Sequence, residues 1–212
     1  MSTTNSDHVS AAHSHEEIWN IPNILTMIRL ALVPVFVILL LLGNTWSQWL
    51  ALAVFVIAAI TDHYDGQIAR ARNLITDFGK IWDPIADKAL TLGAFVVLSV
   101  VGLIPWWFTI IVAVRELGIT WLRAYLLKKN IVVAASSGGK AKTVSQMVLI
   151  IFLLIPWHAI LAPADPLSSL TALWLMKIIL LAIALALTVW SGMVYVIGAI
   201  KMRGTVDGDG PQ

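Results

Sequence analysis

Apolar residues run along the chain in six long stretches, each separated from the next by a few polar or turn-forming residues. A hydrocarbon layer about 30 Å thick takes roughly 20 apolar residues of helix to cross, and each stretch is of that order. The pattern predicts six transmembrane helices, at about Ile21 to Leu42, Gln48 to Ala69, Gly79 to Val101, Ile104 to Leu127, Lys140 to Leu161 and Leu170 to Ile200. The last is long enough to tilt or to run on along the surface. Asp62, Asp65, Arg70 and the basic residues near Lys140 interrupt the hydropathy, but the flanks are strongly apolar and these segments still read as membrane helices. The expected fold is an all-α polytopic membrane protein, with one domain over residues 20–203.

The ends of the chain read differently. Residues 1–19 are polar and lack both a basic n-region and a small-residue cleavage site after a short apolar core, so no removed signal peptide is expected. His8, His13 and His15 with Glu16 and Glu17 are irregularly spaced in a Ser/Thr-rich tail, which favours a flexible segment over a metal tract. Residues 204–212, with their Asp-Gly repeats, read as a second flexible tail.

Lys and Arg near the helix ends set the orientation. Arg70, Arg72, Lys80, Lys128, Lys129, Lys140, Lys142, Lys201 and Arg203 fall in one set of loops and at the end of the last helix. The opposite loops, around Gly43 to Ser47, Gly102 to Leu103 and Ala162 to Ser169, carry none. Both termini are therefore expected in the cytoplasm. Trp46, Trp49, Trp106, Trp107, Trp157 and Trp174 gather at the other ends, as an aromatic belt at the outer interface would.

Composition agrees with the pattern and removes several chemistries. Of 212 residues, 59% are hydrophobic and 12% charged, and the mean hydropathy is +0.86, values foreign to a soluble domain. The absence of cysteine excludes disulfides, thiolate metal sites and a cysteine nucleophile. The net charge of +2 does not point to nucleic acid, because most cations are taken up at the membrane boundary.

The acids are concentrated. Five of the twelve lie between Asp62 and Asp87, in the stretch TDHYDGQIARARNLITDFGKIWDPIADK. Ionised groups within a bilayer are expensive and mark function. At about 1.5 Å per residue, Asp62 and Asp87 both come to lie roughly 9 Å inside the cytoplasmic edge. Asp62 and Asp65 are spaced i, i+3 and Asp83 and Asp87 i, i+4, so each pair occupies one helical face. Four converging carboxylates would repel one another unless a hard divalent cation were bound, and Mg²⁺ or Mn²⁺ suits an all-oxygen donor set. Four Asp suit two such cations better than one, the arrangement that clamps a phosphoryl group during in-line displacement. Gly66 and Gly79 let a ligand approach backbone, Ala69 keeps the neighbouring wall small, and Arg70 offers a planar fork to phosphate. Interhelical salt bridging with glycine packing explains one or two of these residues, but not four acids in helical phase.

These residues spell D-x2-D-G-x2-A-R-x8-G-x3-D-x3-D, through Asp62, Asp65, Gly66, Ala69, Arg70, Gly79, Asp83 and Asp87. This closely resembles the signature of the CDP-alcohol phosphatidyltransferase family of membrane enzymes. The resemblance implies six transmembrane helices, two divalent metals, and transfer of a phosphatidyl group from CDP-diacylglycerol to an alcohol with release of CMP. It also implies that Asp62, Asp65 and Asp83 hold the metals while Asp87 serves as the base, and that Gly66, Ala69, Arg70 and Gly79 line the cytidine diphosphate site. A homodimer is implied by the resemblance alone. NIPNILTMIRLALVPVF from Asn20, RELGITWLR from Arg115 and GGKAKTVSQ from Gly138 resemble the branch of the family whose acceptor is glycerol 3-phosphate. His63 departs mildly from the pattern, and a packing role suits it best.

The remaining cations bear on the acceptor. Arg115 falls near mid-membrane, where an unpaired guanidinium is costly. Glu116 is adjacent and faces another direction, which leaves Asp77 or a motif aspartate as the acidic partner if the role is structural. If Arg115, Lys140 and Lys142 share a cavity instead, the acceptor carries a phosphate as well as a hydroxyl. Glycerol 3-phosphate meets that description; inositol phosphate and phosphatidylglycerol, the acceptor of cardiolipin synthesis, stay open. Lys140 and Lys142 serve equally well as membrane anchors. Thr26 and Arg29, one turn apart, either contact the nucleotide diphosphate or form a polar helix start. A divalent-cation transporter is the competing class, but the outer halves of the helices are almost wholly apolar and give an ion no through-path.

Overall fold

The computed structural model describes residues 21–71, 77–129, 138–161 and 166–208, with side chains except at 21–23, 62–71, 77–84, 87, 166–169 and 203–208. The expected N-terminal tail at 1–19 lies outside the described residues. Every regular element among those described is a helix: α1 (Ile21–Leu41), α2 (Thr45–Ala71), α3 (Asp77–Val100), α4 (Trp106–Lys128), α5 (Gly138–Leu154), the single turn α6 (Trp157–Ile160) and α7 (Pro166–Gly208). They group into two compact units, Met1–Val97 and Leu98–Gln212. Apolar sequence in lipid must satisfy its backbone within the segment, and a helix does so. Among the described residues two helices carry an apolar window long enough to cross a membrane, Ile24–Leu41 in α1 and Leu170–Met202 in α7; shorter apolar stretches occupy Thr45–Thr61 and Lys88–Val100.

In the first unit, α1 ends at Gly43, whose φ of 70° only glycine adopts without strain, with its N–H on Leu40 O at 3.4 Å. Asn44 then caps α2: its Oδ1 accepts the Ser47 N–H at 2.8 Å, and the Ser47 hydroxyl donates to Asn44 O at 2.9 Å. Antiparallel packing follows from so short a turn. Phe36 and Leu40 of α1 meet Ala51, Phe55 and Ala58, spaced i, i+4, i+7 on α2, with the Phe36 and Phe55 rings 5.7 Å apart. On α3, Gly93 lets Val33 of α1 approach; a Cβ there would stand 3.3 Å from Val33 Cγ1. Lipid tails remove the hydrophobic drive between helices, so such small residues decide how closely they pack. Asn44→Ala is expected to lower stability by about 1 kcal/mol, the usual loss for an N-cap, read as a lower unfolding midpoint of the purified protein in detergent.

In the second unit, the end of α3 closes in a Schellman turn. Gly102 has φ 75°, its N–H reaches Ser99 O at 3.1 Å, and the Leu103 N–H reaches Leu98 O at 2.9 Å. Pro105 opens α4, and the buried hydroxyls of Ser99 and Thr109 lie 2.7 Å apart. Outward faces are largely apolar, with Val114 67% and Leu170 63% exposed, surfaces suited to lipid. Trp46, Trp49, Trp106, Trp107 and Trp174 are exposed and Trp157 is half-buried.

Most helix ends agree with the apolar pattern to within a few residues. The stretch expected as one helix from Lys140 to Leu161 instead breaks after Leu154. Pro156 has no N–H to continue the ladder, and the Trp157 indole turns back to donate to Phe152 O at 2.8 Å. At the other end of the unit α7 runs on to Gly208, past the boundary expected at 203. A helix already nucleated extends readily.

Candidate active site

Asp62, Asp65, Gly66, Ala69 and Arg70 all fall within α2, and Gly79, Asp83 and Asp87 within α3. The helical repeat places Asp62 and Asp65 on one face of α2, and Asp83 and Asp87 on one face of α3, with Gly79 in the first turn. The side chains of these eight residues lie outside the described set. The donors are four carboxylates on consecutive helices, an oxygen-only set that fits hard divalent cations. One residue before the motif, the Thr61 hydroxyl donates to Ile57 O of its own helix.

Thr26 and Arg29 sit one turn apart in the buried stripe of α1 that continues to Phe36 and Leu40. They are 2% and 1% exposed, and both engage partners. So large a guanidinium is buried only where polar groups receive it.

The second unit contains a polar seam across three helices. Arg115 of α4 donates from Nη1 to Glu116 Oε1 at 3.1 Å and from Nη2 to Ser191 Oγ of α7 at 2.7 Å. Lys142 of α5 donates to the same Glu116 Oε1 at 2.5 Å. Ser191 Oγ in turn donates to Thr188 O at 3.1 Å. Gln146, one turn beyond Lys142, donates from Nε2 to Thr188 Oγ1 at 2.9 Å, and that hydroxyl donates to Ala184 O at 2.6 Å. Arg115 Nε is buried with no hydrogen-bond partner among the described residues. Arg115 also borders an apolar groove between α4 and α7, lined by Val114, Gly118, Leu122, Met193 and Val196. Such walls keep the local dielectric low and strengthen the hydrogen bonds beside them.

This seam corrects one expectation. Among the described residues Arg115 takes Glu116 as its acidic partner; the side chains of Asp77 and of the motif aspartates lie outside the described set. Adjacent helical residues point about 100° apart, yet two long side chains curl toward each other when a third group, here Lys142, draws the carboxylate between them. Lys142 is 8% exposed and joined to Arg115 through Glu116. Lys140, about 200° round the helix from it, is exposed and stands apart from the cluster. Glu116, Gln146, Thr188 and Ser191 carry no role in the sequence reading. The available signal was polar residues at i, i+4 on α5 and i, i+3 on α7, within apolar helices.

A model of the CDP-alcohol phosphatidyltransferase family matches residues 19–190, most of the chain. The chain belongs to that family. The phosphatidyltransferase match includes all eight motif positions, Thr26, Arg29, Arg115, Lys140 and Lys142, and ends one residue before Ser191. Relatives within the family agree. A probable phosphatidylglycerophosphate synthase of Mycobacterium tuberculosis (strain ATCC 25618 / H37Rv) is 40% identical over 190 residues, covering 88% of this chain and 85% of the relative. The CDP-diacylglycerol–glycerol-3-phosphate 3-phosphatidyltransferase of Bacillus subtilis (strain 168) is 37% identical over 189 residues, 84% of this chain and 93% of its own. The protein of the same name from Escherichia coli (strain K12) is 37% identical over 188 residues, covering 85% and 95%. CDP-alcohol phosphatidyltransferases are generally dependent on divalent metal, and the apolar helices α1 and α7 mark this member as a membrane protein.

Proposed function

We propose that the protein transfers the phosphatidyl group of CDP-diacylglycerol to sn-glycerol 3-phosphate, giving phosphatidylglycerol phosphate and CMP. The observation that carries this reading is similarity at 37–40% identity, along 84–88% of the chain, to proteins named for that reaction. The unbroken motif on α2 and α3 supports it.

In this reading Asp62, Asp65 and Asp83 hold two divalent cations, Mg²⁺ or Mn²⁺, with Asp87 completing the carboxylate set. Bound there, the cations supply charge stabilisation to the diphosphate and the departing CMP. Gly66, Ala69, Arg70 and Gly79 receive the cytidine diphosphate, with Thr26 and Arg29 as further polar contacts. Asp87 takes the proton of the acceptor hydroxyl, whose oxygen attacks the phosphorus next to the diacylglycerol oxygen. A new P–O bond forms, the diphosphate P–O bond breaks, and CMP leaves. Arg115 and Lys142, with Lys140 as a more distant cation, bind the acceptor phosphate. The six apolar stretches, the cation-poor outer loops and the tryptophans support six spans with both termini and the active site on the cytoplasmic side. The protein is proposed to act as a homodimer in the cell membrane, with bilayer lipid as solvent and as the source of CDP-diacylglycerol.

The purified protein should release CMP from CDP-diacylglycerol when glycerol 3-phosphate is supplied, and not with free glycerol, inositol phosphate or phosphatidylglycerol. Release that required inositol phosphate or phosphatidylglycerol would replace the acceptor; no release with any alcohol would remove the reading.

A further inference from the structure

Glu116 and Ser191 lie outside every role assigned so far, yet Glu116 holds both acceptor cations and Ser191 holds one of them. The inference below rests on the reading of Arg115 and Lys142 as acceptor-phosphate ligands.

Two like charges on different helices repel, and each flexible side chain loses entropy when it is held in one place. Glu116 offsets the repulsion with a single oxygen, Oε1, shared by Arg115 Nη1 and Lys142 Nζ. Ser191 fixes the other outer nitrogen, Nη2. The hydroxyl is itself oriented, since its proton goes to Thr188 O. The guanidinium is thus pinned at both ends while its third nitrogen, Nε, is buried with no hydrogen-bond partner among the described residues. A buried unsatisfied donor is uncommon in a native protein and calls for a physical explanation. Gly192 lets the Arg115 side chain lie close against α7. A Cβ there would stand 3.5 Å from Arg115 Nε and 3.3 Å from Cγ. A guanidinium has five N–H groups and an ammonium three, so after the bonds described Arg115 keeps three and Lys142 two. Arg115, Lys142 and Glu116 together carry one net positive charge, which complements a phosphate monoester.

We propose that Ser191 and Glu116 are positioning residues for the acceptor: they hold Arg115 and Lys142 side by side so that the spare N–H groups of both cations meet the phosphate of glycerol 3-phosphate. Neither residue touches the acceptor. The hydroxyl of Ser191 works through Arg115 alone, and Glu116 through both cations.

The test is a set of variants of the purified full-length protein: Ser191→Ala, Glu116→Gln, Arg115→Ala and the double variant Ser191→Ala with Arg115→Ala. For each, KM for glycerol 3-phosphate, KM for CDP-diacylglycerol and the unfolding midpoint are measured. Calorimetric binding of glycerol 3-phosphate carries the same comparison where turnover is too slow to fit. Ser191→Ala should weaken glycerol 3-phosphate about fivefold or more, and Glu116→Gln about tenfold or more, with KM for CDP-diacylglycerol within about twofold of wild type. In the Arg115→Ala background, Ser191→Ala should add almost nothing, as a residue acting through Arg115 requires. A full Ser191→Ala penalty in that background would overturn the proposal. So would equal weakening of both substrates with a lowered unfolding midpoint, which would make the seam a packing device. Should Arg115→Ala itself leave glycerol 3-phosphate unaffected, the acceptor reading fails, a result distinct from Ser191 losing its coupling.

Discussion

Asp87→Asn is expected to leave folding and CDP-diacylglycerol binding near normal while lowering CMP release by roughly 10²–10⁴, the scale of a lost general base. Asparagine keeps the size of the side chain and one acceptor oxygen but removes the charge and the basicity. The expectation comes from position along α3. Asp83 and Asp87 share a face, with Asp87 one turn further from Gly79 and the start of the helix. In the proposed function a carboxylate displaced from Gly79 suits proton transfer, whereas on α2 Asp65 adjoins Gly66 and Asp62 lies one turn before it. Asp62→Asn and Asp65→Asn should therefore weaken metal and nucleotide binding together. Radioligand binding of CDP-diacylglycerol beside CMP release, at saturating metal, separates the two outcomes. If Asp87→Asn lost nucleotide affinity as severely as Asp62→Asn, Asp87 would be a metal ligand and not the base.

Chelation by EDTA should abolish CMP release, with Mg²⁺ or Mn²⁺ restoring it and no monovalent salt doing so. Four carboxylates in helical phase on two consecutive helices carry four negative charges, which without counter-ions would repel and take up protons. Their oxygen-only chemistry selects hard cations over zinc or copper. Restored activity should rise with metal concentration in both wild type and Asp87→Asn, and Asp62→Asn should need far more metal to reach its own plateau. Turnover undiminished in a rigorously metal-free preparation would exclude the two-cation site.

The helices α1 to α4 were legible because long apolar stretches set off by a few polar or turn-forming residues mark helices of this kind. The aspartate motif was legible because acids are so rare elsewhere in the chain that their spacing stands out. What escaped was side-chain partnership. Arg115 and Glu116 are neighbours in sequence, and simple helical geometry sends neighbours apart; the Lys142 ammonium that draws Glu116 across comes from another helix. The choice between Lys140 and Lys142 was equally hidden. α5 is apolar on most sides, so its sequence does not say which face meets α7; the Gln146 to Thr188 hydrogen bond and the approach of Gly138 to Trp190 and Ser191 fix the phase. The break after Leu154 had a visible cause in Pro156, but proline is tolerated inside membrane helices, and Pro34 does lie within α1.

The length of α7 has a mechanical consequence for the acceptor cluster. Its apolar stretch, Leu170–Met202, has 33 residues, about 50 Å of helix against a hydrocarbon layer of about 30 Å. Such hydrophobic mismatch is relieved by tilt, by kinking or by local thickening of the bilayer, and the adjustment made depends on the lipid. Thr188 and Ser191 tie this helix to α5 and α4. The same hydrogen bonds that orient Arg115 therefore also resist any change in the tilt of α7. Bilayer thickness therefore bears on the Arg115 guanidinium through one hydroxyl, and in the proposed function acyl-chain length joins the variables that set acceptor binding.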